Sequence, residues 1–317
     1  MDNITKVILS LRPLSKKGIS AYERFVKFLM KKYGFIVIQE IFELKKFWDR
    51  KIDILIIPYS FLLLKNIEVK TMFIKKCIEN NSNIKIIRFF NEYNLQEQGK
   101  FIKIWKERPI DYFICNFEGY HRLINYSKNV IRLNVNVLVY KEYNRKYEFE
   151  KKYDICYYGT FRRGRIDYFK KYIDKNIYLS ISSQRKIRKF KELLENDLKI
   201  IPAFKWNIKS KFRLFKYSLY IEDEYTHTHY NFPADRFYEA LTYKVVQFFD
   251  INCKNTFDKY GIDISDFIVR DKKDLYKKVR ETDYLKAWDI QKKWIKKVKR
   301  EKREIEKKID DFLNSIL

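Results

Sequence analysis

Arginines, carboxylates and small residues meet in three stretches of this chain that could do chemistry. In Ala234–Asp250, ADRFYEALTYKVVQFFD, Arg236 and Glu239 stand three residues apart and share one face of a helix. A guanidinium can fork onto a diphosphate, and a carboxylate can accept both hydroxyls of a ribose. An exposed i, i+3 ion pair is the plain alternative for the same spacing. A second stretch, Tyr153–Tyr168 (YDICYYGTFRRGRIDY), reads as strand, turn and helix. Gly159 and Gly164 free the backbone to turn and approach a ligand, Thr160 offers a hydroxyl, and Arg162, Arg163 and Arg165 crowd the helix start. Cations there oppose the helix dipole unless an anion is bound, which favours a diphosphate site over an exposed basic turn. In the third stretch, Phe89–Glu92 (FFNE), Glu92 follows an apolar strand. A carboxylate so placed can act as a general base on a hydroxyl acceptor, or be a solvated loop acid.

The elements that must hold these residues alternate between strand and helix. Short apolar runs predict strands at Lys6–Leu11, Phe35–Gln39, Lys51–Pro58, Ile84–Phe90, Tyr112–Phe117 and Val130–Leu133, with helices at Ala21–Lys32 and Thr71–Asn80. A charged linker, Tyr140–Lys152, precedes a second series. Its strands are Asp154–Tyr158, Ile177–Ser182, Leu219–Ile221 and Val245–Phe249, with Leu198–Ile201 a short extended piece. Its helices are Arg165–Ile173, Ser183–Glu195, Lys209–Lys216, the Arg236 segment ending at Lys244, and Asp274–Thr282. From Asp283 onward the chain reads as one long charged helix or two, with Trp288, Ile295, Val298, Ile305, Ile309 and Phe312 at helical spacing. Continuous apolar strands between helices indicate parallel sheets buried on both faces, hence two Rossmann-like α/β domains with a ligand cleft at strand carboxyl ends. The absence of G-x-G-x-x-G and G-x-x-x-x-G-K-[ST] argues against a dehydrogenase or a P-loop NTPase.

Composition narrows the partners. The 317 residues carry a formal charge of +27, with 46% hydrophobic and 18% aromatic residues. Such charge suits a polyanion, most simply nucleic acid, although an AT-rich coding sequence also enriches Lys, Ile, Asn, Tyr and Phe. Cys77, Cys115, Cys156 and Cys253 lie far apart and read as reduced core thiols. They form no metal-ligand pattern with His121, His227 and His229, so no metal site is expected. His227 and His229 share a face if the segment is a strand; a loop is the alternative. No secretory signal or membrane-length apolar run occurs, and the expectation is a cytoplasmic protein with no membrane association and no obligate protein partner.

Taken together, these stretches resemble the β-glucosyltransferases of T-even bacteriophages. Asp154–Arg165, DICYYGTFRRGR, is similar to that family's GSFRSGQR turn at Gly159, Thr160, Phe161, Arg162 and Gly164; Arg165 takes the second arginine's role only through a one-residue shift. Arg236–Glu239, RFYE, matches the family's RVWE, and Phe90–Glu92, FNE, falls on its FTD. Glu23 resembles, one residue out of register, an acidic residue near the sugar, and Gly18 in the polar Arg12–Ser20 loop joins the donor-binding set. The charged end with Trp288 and Trp294 resembles the family's terminal helix.

The resemblance implies a GT-B fold: two Rossmann-like domains facing a central cleft, 1–148 for the acceptor and 149–290 for the nucleotide sugar, with a C-terminal helix at 291–317 crossing back to the first. It implies an inverting glycosyltransferase that moves a sugar, glucose in the family, from a UDP-sugar to a hydroxymethylated pyrimidine such as 5-hydroxymethylcytosine in duplex DNA. Arg162, Arg165 and Arg236 would meet phosphate, Glu239 the ribose, and Glu92 would be the base. The Arg12–Lys17 loop and the Gly99–Arg108 segment would grip DNA phosphates. A divalent cation such as Mg or Mn could assist the leaving diphosphate, although no motif requires it. The alternatives are a GT-B enzyme acting on a cell-surface glycan or lipid-linked acceptor, and a non-enzymatic nucleic-acid-binding protein.

Overall fold

The computed structural model describes residues 4–10, 21–48, 50–58, 67–81, 83–90, 111–115, 129–143, 149–181, 183–194, 197–201 and 210–316. Among these the chain divides into two compact units. One comprises the residues up to Val135 together with those from Glu304 on, and the other comprises Asn136–Arg303.

The first unit is a parallel sheet of β1 (Lys6–Leu9), β2 (Ile36–Ile38), β3 (Ile54–Pro58), β4 (Lys85–Phe90), β5 (Tyr112–Cys115) and β6 (Val130–Arg132) in the order β2-β1-β3-β4-β5-β6. All five residues of β3, ILIIP, are buried, as its unbroken apolar run requires of a central strand. Helix α1 (Ala21–Tyr33) turns Phe25, Val26 and Leu29 inward. Phe25 stacks on Phe89 of β4 at 4.8 Å, and the Tyr22 hydroxyl donates to Leu9 O at 2.6 Å. Helix α2 (Ile67–Glu79) starts four residues before the predicted Thr71. Arg88 on β4 is wholly buried and donates to the carbonyls of Ile57 and Pro58; burial lowers its pKa to about 9.

The second unit is a parallel sheet of β7 (Tyr153–Tyr158), β8 (Tyr178–Ser180), β9 (Phe215–Tyr220), β10 (Val246–Asp250) and β11 (Ile268–Val269), in the order β11-β10-β9-β7-β8. Its helices are α3 (Ile166–Tyr172), α4 (Gln184–Leu194), α5 (Glu224–His229), α6 (Asp235–Thr242), α7 (Lys254–Tyr260), α8 (Lys272–Glu281) and α9 (Tyr284–Gln291). Two parallel α/β units of this kind fit the GT-B expectation.

Two readings of local structure need correction. Strand β9 begins at Phe215, where the sequence reading had a helix over Lys209–Lys216; only Lys211–Leu214 forms a short 3-10 turn. The strand is long because it pairs with both β7 and β10, from Tyr153↔Phe215 to Phe249↔Tyr220, and tertiary pairing outweighs the basic, helix-compatible start. His227 lies on the short helix α5 and not on a strand, with Nδ1 3.0 Å from Thr256 Oγ1. Of the one long helix or two expected from Asp283 onward, the structure has two, α9 and α10 (Trp294–Ile316).

Helix α9 docks through Gln291, whose buried amide exchanges hydrogen bonds with the backbone N–H and C=O of Gln247 on β10 at 2.9 and 2.8 Å. At the start of α10, Trp294 packs against Phe237, Phe249 and Phe267. Its last turns belong to the first unit, where Asp310 accepts from Lys32 and from the Tyr33 hydroxyl, and Phe312 meets Tyr112 edge-on at 5.3 Å.

Helix α6 ends at Thr242 because Lys244 adopts φ 54°, a left-handed conformation that lets Val245 N–H bond back to Ala240 O at 2.9 Å. A side chain there carries steric strain that glycine lacks. Lys244→Gly is therefore expected to stabilise the protein by about 0.5–1 kcal/mol, less than the full strain because glycine also loosens the unfolded chain. Thermal unfolding checks this: a rise in Tm of roughly 2–4 °C is expected, and a fall would show that the lysine side chain contributes more than the strain.

Candidate functional site in the second unit

The strand order of the second unit makes a switch point. From β7 the chain moves outward to β8, then returns to the other side of β7 as β9 and continues away through β10 and β11. At such a reversal the loops leaving the two strands part, and the crevice at their carboxyl ends is the usual ligand position in open α/β sheets. Leaving β7 are Gly159, Thr160 and Arg162; leaving β9 are Ile221, Glu222 and Asp223.

The side chains at this end form one ionic cluster. Glu222, 1% exposed, lies between two arginines: Oε2 accepts from Arg165 Nη2 at 2.5 Å, and Oε1 accepts from Arg236 Nη2. Arg236 Nη2 also donates to Ile221 O at 2.5 Å, and the guanidinium lies 4.7 Å from the centre of the Tyr220 ring. Arg165 Nε is 3.2 Å from Asp223 Oδ2, and Arg162, half exposed, is 4.0 Å from the same oxygen. Asp223 also caps α5, accepting from Thr226 N at 3.0 Å and Thr226 Oγ1 at 2.8 Å.

Burial works against the charges of Glu222, Asp223, Arg165 and Arg236, and the neighbours reverse it. For Glu222, burial pushes the carboxyl up, but Arg165, Arg236 and Arg162 together hold it below its ordinary value. Asp223 is likewise held low by Arg165 and the Thr226 hydrogen bonds against its burial. Both guanidiniums are held above their usual value, chiefly by Glu222, against the same penalty.

The expected donor-site residues of this unit have defined surroundings. Arg236 and Glu239 do not form an exposed i, i+3 pair: they are 9% and 3% exposed, Arg236 turns to Glu222, and Glu239 shares a hydrogen bond with Tyr158 at the end of β7. Arg165 is the N-cap of α3, and the anion that compensates it there is internal, Glu222 and Asp223. Thr160 Oγ1 accepts a hydrogen bond from Lys186 near the start of α4.

Gly159 stands at the bend after β7 and Gly164 inside the short 3-10 turn Arg163–Arg165, and the chain turns at both without a positive φ. A Cβ on Gly159 would stand 2.7 Å from the Tyr157 hydroxyl and 3.1 Å from Arg236 Nη1, so this position is small chiefly because the Tyr157 ring, and next to it the guanidinium, packs against it. A Cβ on Gly164 would meet Asp223 Cβ at 3.4 Å, an ordinary contact.

Glu23 lies in the first turn of α1 in the first unit, where it supports the charge of Lys27 against that lysine's burial. Glu92, Gly18, His121, the Arg12–Lys17 loop and the Gly99–Arg108 segment lie outside the described residues. Sequence reasoning missed Glu222 and Lys186. Among the described residues no group of three or more His, Cys, Asp or Glu could hold a metal ion, and no helix is long and apolar enough to cross a membrane.

No family model matches the chain, and no curated protein does. Among solved structures it aligns with the crystal structure of TarM, a glycosyltransferase of GT-B type, at 15% identity and a TM-score of 0.48, over 87% of this chain and 57% of TarM. The chain thus spans little more than half of TarM's length.

Two outcomes follow from the packing and the charges. Gly159→Ala is expected to cost about 1–3 kcal/mol of stability through overpacking against Tyr157 and Arg236, while Gly164→Ala is near neutral. Denaturant titration of the two variants tests this, and equal costs would contradict it. Because Glu222 and Asp223 are held low in the folded state, their stabilisation is complete above the ordinary carboxylate pKa and is lost as pH falls through the depressed values. Tm should therefore drop as pH is lowered below 4, and the drop should shrink in Asp223→Asn; an unchanged acid profile in that variant would contradict the assignment.

Proposed function

We propose that the protein is a glycosyltransferase using a nucleotide-diphosphate sugar, with UDP-glucose the first donor to try. The observation that carries this reading is the gathering of Arg162, Arg165, Arg236 and Glu239 around the loops leaving β7 and β9. The guanidinium-lined end and Thr160 suit a diphosphate, and the Glu239 carboxylate beside Tyr158 suits a ribose diol.

In the proposed reaction the acceptor hydroxyl attacks the anomeric carbon, Glu92 takes the hydroxyl proton, and the carbon–oxygen bond to the diphosphate breaks. The bonding pair leaves on the diphosphate, whose charge the basic end of the second unit stabilises. Gly18 and Glu23 complete the proposed sugar side of the donor set. A divalent cation can assist departure.

The acceptor proposed from the +27 charge is a polyanion. A hydroxymethylated pyrimidine in duplex DNA is the leading form, and its base would have to leave the helical stack to react. A phosphate-bearing cell-surface glycan meets the same charge requirement.

Incubation with radiolabelled UDP-glucose and either 5-hydroxymethylcytosine DNA, unmodified DNA or a cell-surface glycan preparation separates these forms. Transfer to the hydroxymethylated DNA alone supports the first, transfer to the glycan alone supports the second, and transfer to none argues against the enzyme reading. Arg236→Ala is expected to weaken UDP binding about tenfold or more, because it leaves the Glu222 carboxylate with one guanidinium fewer beside the diphosphate. Glu92→Gln should leave UDP binding unchanged and lower kcat by about 10²–10⁴.

A further inference from the structure

The charges at the carboxyl end of the second sheet do not all face a ligand equally. Arg165 and Arg236 are set against Glu222 and Asp223, so that inner layer is close to neutral as it stands. Positive charge in excess of carboxylates lies one layer out, on Arg163, on the half-exposed Arg162 at 4.0 Å from Asp223, and on α4, QRKIRKFKELL. Helix α4 buries Ile187 and Phe190, and Phe190 meets the Phe161 ring edge-on at 5.0 Å. That contact brings the outward-facing cations of α4 beside the turn. Lys189 lies 5.7 Å from the centre of the Phe161 ring, and Lys186 reaches Thr160 Oγ1.

Among the described residues Arg163, Arg185, Lys186 and Lys189 have no carboxylate within salt-bridge distance. Lys186 bears the consequence. Burial lowers its pKa, and the cations of Arg162, Lys189, Arg165 and Arg185 lower it further. A half-buried ammonium held among like charges, with only a neutral hydroxyl as hydrogen-bond partner, is a position that an anion would relieve.

We propose that Lys186, with Arg162 and the Thr160 hydroxyl, takes up the phosphate groups of the donor, while Arg165 and Arg236 form a pre-neutralised floor held in place by Glu222. This rests on the nucleotide-sugar reading above and departs from the simpler assignment in which the buried arginines carry the neutralisation. The ligand class is a diphosphate: one phosphate displaces Thr160 as the Lys186 partner, or shares the lysine with it, and the half-exposed Arg162 closes from the other side. Both Arg162 and Lys186 have long side chains with exposed portions, so they can adjust to a ligand, whereas the buried arginines are fixed.

Calorimetric titration with inorganic pyrophosphate and with UDP tests this on wild type, Lys186→Met, Lys186→Arg and Lys170→Met. The last removes the same charge from an exposed position of α3. The expected result is a loss of about tenfold or more for both ligands in Lys186→Met, partial recovery in Lys186→Arg, and a change below about twofold in Lys170→Met. Lys186→Met within twofold of wild type for both ligands overturns the proposal, as does an equal loss in Lys170→Met, which would reduce the effect to net charge.

The two readings fail separately. Wild type that binds pyrophosphate through Lys186 but not UDP keeps the anion site and removes the nucleotide donor. UDP binding that ignores Lys186 keeps the donor and removes this site. Wild type that binds neither overturns the proposal.

Discussion

One carboxylate, Glu222, holds the carboxyl end of the second sheet together. It spans Arg165 from the turn after β7 and Arg236 from α6, and it sits on the residue pair that follows β9. Three separate segments are thereby tied through a single buried group. Removing either kind of partner would leave a charge stranded out of water, which costs about 3–5 kcal/mol in comparable buried pairs. Apolar residues of similar volume would be an equal or better way to gain stability, so such an arrangement is weak as a stability device. Its value is geometric: it fixes two guanidiniums at the place where the sheet opens.

That place is set by topology and packing. The reversal of strand order between β7 and β9 parts their loops, and a side chain on Gly159 would crowd Tyr157 and Arg236 there. Around it the aromatic side chains do the packing. Tyr157 and Phe161 meet Phe169 of α3 and Phe190 of α4, while Tyr220 lies under the Arg236 guanidinium. The cations are therefore mounted on a rigid aromatic base, and the inner pair is neutral before any ligand arrives. Charge available for an incoming anion lies on the outer turn and on α4.

The sequence made the architecture readable where strands are uniformly apolar. ILIIP meets that condition and VQFFD comes near it, with Gln247 among a valine and two phenylalanines, because short runs rich in β-branched and aromatic residues suit a strand buried on both faces. FKYSLY does not, because Lys216 and Ser218 interrupt the pattern and its identity as a strand comes from pairing on both sides. The helix carrying Arg236 and Glu239 was legible from spacing, but not the direction in which each side chain turns. Glu222 looked like one acid among several in IEDE, and its partners lie 57 residues before and 14 residues after it. Lys186 was one lysine in a lysine-rich helix, and only the packing of Phe190 on Phe161 brings it to Thr160. Local pattern specifies elements; the chemistry of a site assembled from two loops and two helices is specified by contacts that no local window contains.

A diphosphate bound at the loops that leave β7 and β9 is the feature from which the proposed activity follows. A crystal structure of the protein with UDP tests this most directly. The expected density has the ribose hydroxyls on Glu239 and the phosphates between Lys186, Arg162 and the Gly159–Thr160 backbone, with Glu222 still bridging Arg165 and Arg236. UDP bound away from these loops, or crystals grown in millimolar UDP that show none there, would contradict it.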